Sequence, residues 1–364
     1  RFLLYWHYTF YHRKEDTMGK KNNVTFDDIA KYTGFSKTTI SRYFNNPDSL
    51  TLENQEIIAK ALIDLNYKEN KVARILANGQ TEFIGIIIPN LFLHYYSEML
   101  DKILSTYEQF GYKFLVFIGN EKEETERRYI RELLAYKIEG LIVLSHTIPS
   151  EELASLGLPI VTIEREDRAV CSVNTDNYMG GCQAAGLLAR HRCDVLIHIN
   201  SSADKNVPAY GRIRGFLDIC EETKLPHELI IEQMGNSYES LKGHLADILH
   251  DLEQKYAGKK KGIFLSNDTQ ANVFLNLLVR KYGSLPDDYL IIGFDDSPVS
   301  REALIPISTI GQQIDKIANE AVSLLVGQMN ERKKRKPVPL KEPVHKVITP
   351  ILVKRETTER IWQP

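Results

Sequence analysis

From Phe83 onward the chain repeats one texture, short apolar runs alternating with amphipathic stretches. Phe83–Pro89 reads FIGIIIP, the continuous apolar run expected of a strand buried on both faces. Further strands are expected at Lys113–Ile118, Gly140–Ser145, Leu158–Ile163, Val195–Asn200, Leu229–Gln233, Gly262–Ser266 and Tyr289–Phe294. Between and after them, helical spacing falls on Tyr95–Phe110, Glu123–Lys137, Tyr178–His191, Ala209–Thr223, Leu241–Tyr256, Thr269–Lys281 and Ile314–Met329. Gly180, Gly181 and Gly186 would let the third of these segments pack closely. A βαβα rhythm requires parallel sheets with helices on both faces. Over residues 83–358 the strands fit two sheets better than one. In such folds a ligand sits beyond the carboxyl ends of the strands.

The preceding segment has a different period. Thr25–Asn45, TFDDIAKYTGFSKTTISRYFN, reads as two short helices around a tight turn. Thr25 is placed to cap the first over Asp28, with Phe26, Ile29 and Ala30 at helical spacing. Gly34 can take the left-handed conformation the turn needs. Ser36 caps a second helix over Lys37–Asn45, with Ile40 and Tyr43 or Phe44 facing inward. The outward face carries Ser36, Lys37, Thr38, Thr39, Ser41 and Arg42. Hydroxyls and cations suit phosphates and base edges, though a small helical bundle can expose such a face as plain surface. Asn46-Pro47-Asp48-Ser49 is a turn, and Thr51 caps a third helix to Leu65 with Ile57, Ile58, Ala61, Leu62 and Leu65 as its stripe. Asn70–Asn78, NKVARILAN, has helical spacing but is too short to be stable alone in water. It would order only against another copy of itself or DNA.

Charge and cysteine usage restrict the function classes. The net charge is -2, and Met18–Glu82 holds nine Lys/Arg against eight Asp/Glu, so any DNA affinity must come from placement. Cys171, Cys182, Cys193 and Cys220 form no CxxC pair, arguing against zinc and a disulfide framework and for a reducing cytoplasm. Residues 1–17 carry six aromatics in the first eleven positions, yet are too short to span a membrane and have no small-residue cleavage site. They read as a non-native or upstream extension, with Met18 a natural start. The basic run Arg332–Lys336 reads as a solvated loop rather than a DNA contact, as does Lys259–Lys261.

No GxGxxG follows a strand, and no P-loop, HExxH or GxSxG occurs. Asp295-Asp296 has no clustered histidine or third carboxylate nearby in sequence, so hydrogen bonding to a polyhydroxylated ligand explains it better than acid/base or metal work. His146, His191 and His198 lie on different elements and read as structural.

With these residues in view, the chain resembles the lactose-repressor (LacI) family of bacterial transcription regulators. The resemblance runs from Val24 to about Thr358 and rests on DDIAKYTGFSKTTISRYFN, NKVARILANGQTEFIGIIIP, and YLIIGFDDSP followed by STIGQQ. It implies an all-α helix-turn-helix DNA-binding head and an α/β periplasmic-binding-protein-like core of two Rossmann-like lobes. By position it implies base reading by Lys37, Thr38 and Arg42, and phosphate contacts by Ser36, Thr39, Ser41 and Asn45. Asn70–Asn78 would be a hinge that folds on operator DNA, with Leu76 wedged into the minor groove and Ala73 beside it. Effector contacts would fall on Tyr95, Tyr96, Glu164, Arg212, Asn267, Asp295 and Gln312. Met234-Gly235-Asn236 stand where the family often has an aromatic, and Glu164 where an aspartate is common.

The implied domains are a head over 18–66, a hinge and linker over 67–82, a core over 83–358 and a tail over 359–364. Lobe one would take about 83–177 and 312–340, and lobe two about 178–311 and 341–358. The expectation is a cytoplasmic homodimeric repressor of a carbohydrate operon, with no enzyme activity, cofactor, metal or membrane. It would bind a pseudo-palindromic double-stranded operator and answer to a small sugar or sugar-phosphate effector. The alternatives are control by a purine or a phosphorylated carrier protein, or a solute-binding receptor without DNA function.

Overall fold

A computed structural model describes residues 24–68, 79–165, 168–203, 207, 209–338 and 340–359. Contacts divide the chain into two units, 1–79 and 80–364. The expected extension over 1–17 and the hinge residues Ala73 and Leu76 lie outside the described residues.

The head contains α1 (Phe26–Thr33), α2 (Lys37–Asn45), a single turn at Pro47–Ser49, and α3 (Leu52–Asp64). Its ends are set by side chains. Thr25 and Asp28 exchange bonds with each other's backbone N–H, closing a capping box on α1. Gly34 turns the chain at φ 74°. The Ser36 hydroxyl accepts the Thr39 N–H at 3.1 Å, and Thr51 caps α3 in the same way through Asn54. Ile29, Ala30, Ile40, Ile58 and Ala61 form the core, covered by Phe26, Phe35, Phe44 and Tyr67 among others. Ile57, expected in the α3 stripe, is instead 41% exposed.

The core unit holds two six-stranded sheets. Lobe one is built on β1 (Phe83–Ile88), β2 (Lys113–Ile118), β3 (Gly140–Val143), β4 (Ile160–Ile163), β5 (Cys171–Thr175) and β11 (His345–Ile348), all parallel, in the order β11-β5-β4-β3-β1-β2. Lobe two is built on β6 (Val195–Asn200), β7 (His227–Ile231), β8 (Lys261–Leu265), β9 (Tyr289–Asp295), β10 (Ser308–Gly311) and β12 (Ile351–Val353). Its order is β12-β10-β9-β8-β6-β7, and only β12 runs antiparallel. The helices of lobe one are α4 (His94–Ser105), α5 (Tyr107–Phe110), α6 (Glu123–Ala135), α7 (Ser150–Ser155) and α13 (Ile314–Arg332). Those of lobe two are α8 (Asn177–Arg190), α9 (Tyr210–Thr223), α10 (Tyr238–Lys255), α11 (Asp268–Tyr282) and α12 (Pro298–Glu302).

The chain therefore passes between lobes after β5, after β10 and after β11. The last passage corrects the expected division. Residues 341–358 do not belong wholly to lobe two, because His345–Ile348 pairs with Ser172–Thr175 and extends the lobe-one sheet. Lobe two takes the chain from Ile351 on: Ile351–Val353 pairs antiparallel to Thr309–Gly311, and Arg355, Thr357 and Thr358 bond to Ser308. The crossings are tied to each other, with Asp176 N–H donating to Ile348 C=O at 2.9 Å and Gln313 Nε2 to Thr349 C=O at 2.6 Å.

Of the two basic stretches, Arg332–Lys336 stays exposed and makes local pairs, while Lys261 is buried. In Arg332–Lys336, Arg332 donates to Gly157 C=O at 2.7 Å, Lys333 pairs with Glu139 at 2.7 Å, and Lys334 pairs with Glu331. Lys261, expected on a solvated loop, is 2% exposed and pairs with Asp288 at 2.6 Å. Its aliphatic stem fills strand space while its ammonium is fully bonded.

Candidate functional site

On α2 the residues alternate by face. Ile40, Tyr43 and Phe44 pack into the head, while Thr38, Ser41, Arg42 and Asn45 recur at intervals of three and four along the opposite side. Ser36, Lys37, Thr38, Arg42 and Asn45 are exposed, and Thr39 and Ser41 are half-buried. Several are already paired: Ser36 with Thr39 at 2.9 Å, Asn45 Nδ2 donating to Ser41 at 3.1 Å, and Lys37 with Asp27 at 2.6 Å. Thr38 and Arg42 make no side-chain hydrogen bond or ion pair among the described residues. The pairs fix the flanks of the face and leave its centre available.

The core unit contains a cavity of ≈ 460 Å³ between its lobes. All seven expected effector positions line it: Tyr95, Tyr96, Glu164, Arg212, Asn267, Asp295 and Gln312. They come from strand ends or the helix starts beyond them, so the parallel topology brings them together. Helices α8 and α9 contribute by unusually close packing. A Cβ on Gly181 would lie 2.2 Å from Arg212 C=O, and one on Gly215 would lie 2.1 Å from Tyr178 C=O. That approach seats Arg212 over the Phe294 ring at 3.5 Å, with Nε donating to Asn177 Oδ1 at 2.7 Å and Nη1 to Ser266 C=O. Nη2 has no hydrogen bond among the described residues.

Two hydrogen-bonded chains run beneath the cavity and join the lobes. In one, Glu164 accepts from Thr175 N–H and from Asn177 Nδ2 at 2.9 Å, and Asn177 in turn accepts from Arg212. In the other, Thr175 donates to Gln312 Oε1 at 2.7 Å, and Gln312 Nε2 donates to Asp295 Oδ1 at 2.6 Å. Asn267 caps α11 by accepting the Gln270 N–H at 2.9 Å, so it has a structural task as well as a place in the wall. The Tyr95 hydroxyl is buried without a hydrogen-bond partner among the described residues, and its ring meets Tyr96 edge-on at 5.2 Å.

The electrostatics follow from burial. Burial pushes Asp295 well above the usual carboxylate range, with Arg212 opposing, and pushes Arg212 below its usual value, with Asp295 and Glu164 opposing. The Tyr95 hydroxyl is raised mainly by burial. Backbone strain sits in the same place: φ is 113° at Asp295, 57° at Asp296 and 52° at Glu164. The consecutive positive values at 295 and 296 send adjacent carboxylates to different tasks. Asp296, expected to share the polar-ligand role, instead pairs with Arg355 and lies 3.7 Å from Arg301. Beneath them Asp268 is wholly buried, accepting from Thr309 Oγ1 at 2.6 Å and Ser297 N–H at 2.8 Å.

Residues 25–70 match the family profile for bacterial regulatory proteins of the lacI family. Residues 81–251 match that for periplasmic binding proteins and the sugar-binding domain of the LacI family, and 180–358 a periplasmic-binding-protein-like domain. Together the three run almost unbroken from the first capped helix to the last strand. The chain belongs to the LacI family. It is therefore a DNA-binding transcriptional regulator with an effector-binding core, and not an enzyme.

Among its relatives is the sucrose operon repressor of Streptococcus mutans, 28% identical over 309 residues, covering 84% of this chain and 92% of that one. The ribose operon repressor of Halalkalibacterium halodurans is 26% identical over 344 residues, covering 92% and 97%. In fold, the chain is similar to a lac repressor dimer solved with operator and an anti-inducer, with a TM-score of 0.75 at 21% identity, covering 93% and 99%. For a LacI-family chain, the cavity wall has further members that the residue-by-residue carry-over missed. They include Glu121, His146, Thr147, Asn200, Ser201 and Ser266, each within a few residues of a strand's carboxyl end. The strand ends themselves were the available signal. Among the described residues no helix is long and apolar enough to cross a membrane.

Proposed function

We propose that the chain represses a carbohydrate-utilisation operon and that a small sugar or sugar phosphate, held between the core lobes, sets its operator affinity. Its DNA contacts are Ser36, Lys37, Thr38, Thr39, Ser41, Arg42 and Asn45, with Ala73 and Leu76 in the hinge. Its effector contacts are Tyr95, Tyr96, Glu164, Arg212, Asn267, Asp295 and Gln312. The observation that carries the effector half is the convergence of those seven positions, drawn from both sheets, on one cavity. At ≈ 460 Å³ it lies within the range of roughly 300–1,000 Å³ typical of small-molecule sites. Carboxylate, guanidinium and amide groups beside two tyrosine rings match the hydroxyl rims and apolar faces of a sugar. The sucrose and ribose operon repressors among its relatives support the same class.

The working unit is a homodimer on a pseudo-palindromic operator in the cytoplasm. Nine Lys/Arg against eight Asp/Glu over Met18–Glu82 gives one head little general attraction for DNA, so two linked heads are needed. The test is a thermal-shift panel of sugars, sugar phosphates and purines on the full chain. Selection of its operator from random DNA follows, with and without the best ligand. A sugar that stabilises the chain and changes operator affinity supports the reading. A purine response with none to sugars overturns the effector class, and no selected sequence overturns the regulator.

A further inference from the structure

The segment that leaves β1 crosses from one lobe toward the other. Asn90, buried at the end of β1, accepts the N–H groups of Phe92 at 3.1 Å and Leu93 at 3.2 Å, and its Nδ2 donates to Glu121 at 3.2 Å. This fixes the turn to lobe one. Phe92 nevertheless packs against the lobe-two cluster that contains Ala271, Phe274 and Ile307. Two residues later the His94 N–H donates to Thr269 Oγ1 of lobe two at 3.3 Å, and its Nδ1 lies 3.0 Å from the same oxygen. One turn further along α4, Glu98 faces Arg301 of lobe two at 3.9 Å. The residues between these contacts, Leu93, Tyr95 and Tyr96, line the cavity. The same short segment thus forms a cavity wall and grips the opposite lobe.

Building on the effector reading above, we infer that Phe92 is the wedge of an interlobe clasp and a positioning residue for effector binding. It holds lobe two against the Tyr95–Tyr96 wall, so the clasped form binds effector and release of the wedge lowers affinity. Its apolar contact outweighs the other two. The Glu98–Arg301 pair is long with Arg301 half-exposed, and the His94 side of the contact to buried Thr269 is exposed.

The test uses the full chain with spin labels on E151C in lobe one and E239C in lobe two, both exposed positions, in a Cys182→Ser background. Phe92→Ala should lengthen or broaden the interlobe distance distribution without ligand, and Phe92→Leu should restore most of the native distribution. Affinity for whichever of D-glucose, D-fructose, D-ribose and sucrose binds the native chain should fall about tenfold in Phe92→Ala, as expected if about a tenth remains clasped. Unchanged distances overturn the clasp whether or not a sugar binds. If none of the four binds the native chain, the distances alone decide whether the clasp exists, and the wider ligand panel above decides the effector reading. Changed distances with affinity unchanged would remove Phe92 from effector positioning.

Discussion

Replacing Asp295 with Asn should separate recognition from folding. The carboxyl is 5% exposed at the end of β9, and Oδ1 accepts the Gln312 amide at 2.6 Å. Asparagine keeps that acceptor and almost the same volume. It removes the charge on Oδ2, which takes no hydrogen bond among the described residues. A hydrogen bond to a charged group is worth about 1.5–3 kcal/mol, so losing one to a ligand hydroxyl should weaken effector binding about 10- to 150-fold. Stability should respond differently. Burial already disfavours the ionised carboxyl, so removing the ionisable group takes away a cost rather than a support. Arg212 retains Asn177, Ser266 and the Phe294 face in the variant.

The expected outcome is a melting temperature equal to or above the native one, with effector affinity weakened about 10- to 150-fold and operator binding by the ligand-free protein kept. Calorimetric titration, thermal denaturation and fluorescence anisotropy on labelled operator measure the three quantities. A variant that melts several degrees lower yet binds effector within twofold of native would make Asp295 a structural group and refute the argument.

Arg42→Ala should cost about 1–3 kcal/mol of specific operator binding and leave effector affinity and melting unchanged, because its side chain has no partner among the described residues. Ile40→Ala removes a wholly buried side chain from the small core of the head, a loss of about 2–5 kcal/mol, comparable to a head's entire stability. Operator binding should disappear while effector titrations remain native. His198 is buried against Phe264, and burial lowers its pKa to about 3, against about 6.5 when unfolded. A depressed pKa means this contribution is whole above the unfolded value and declines as pH falls toward the folded one. Between pH 7.5 and 5.0, His198→Gln should therefore lose about 2 kcal/mol less stability than the native chain in urea titrations. An equal loss would show that His198 is not buried neutral.

The head was largely legible because its rules are local. Caps at Thr25, Ser36 and Thr51 and the spacing of Ile29, Ala30 and Ile40 act over a few residues. Apolar strands such as Phe83–Ile88 were legible for the same reason. Cys171–Thr175 and Ser308–Gly311 were not, although every residue in both is buried. Their sequences, CSVNT and STIG, carry polar side chains that only distant partners satisfy: Asn174 donates to the Arg165 carbonyl, and Ser308 bonds to Arg355 and Thr358. The third lobe crossing was expected before residue 341 and falls instead after Ile348, because no local pattern distinguishes a strand that stays from one that changes sheet. Residue chemistry gave Asp295 and Asp296 the same role, and only the family resemblance singled out Asp295, because the two differ in backbone direction rather than in side chain.

The same crossings bear on how a core of this kind can sense a ligand. The groups that present polar atoms to the cavity are also those that hold the hinge: Glu164 binds Thr175 and Asn177, while Gln312 joins Thr175 to Asp295. Thr175, Asn177 and Gln312 flank the first two passages of the chain between lobes. A ligand that competes for Asp295 or Arg212 therefore perturbs bonds that fix the relative position of the two sheets, without a separate relay through the lobe interiors. Such coupling is reciprocal: whatever fixes the lobes at those crossings must change ligand affinity by the same factor. Substituting Gln312 with Glu tests this directly, because it sets a second carboxylate against Asp295 at 2.6 Å in the native pair. The repulsion should weaken effector binding and alter the operator response together, and a change in only one of them would break the link between hinge and cavity.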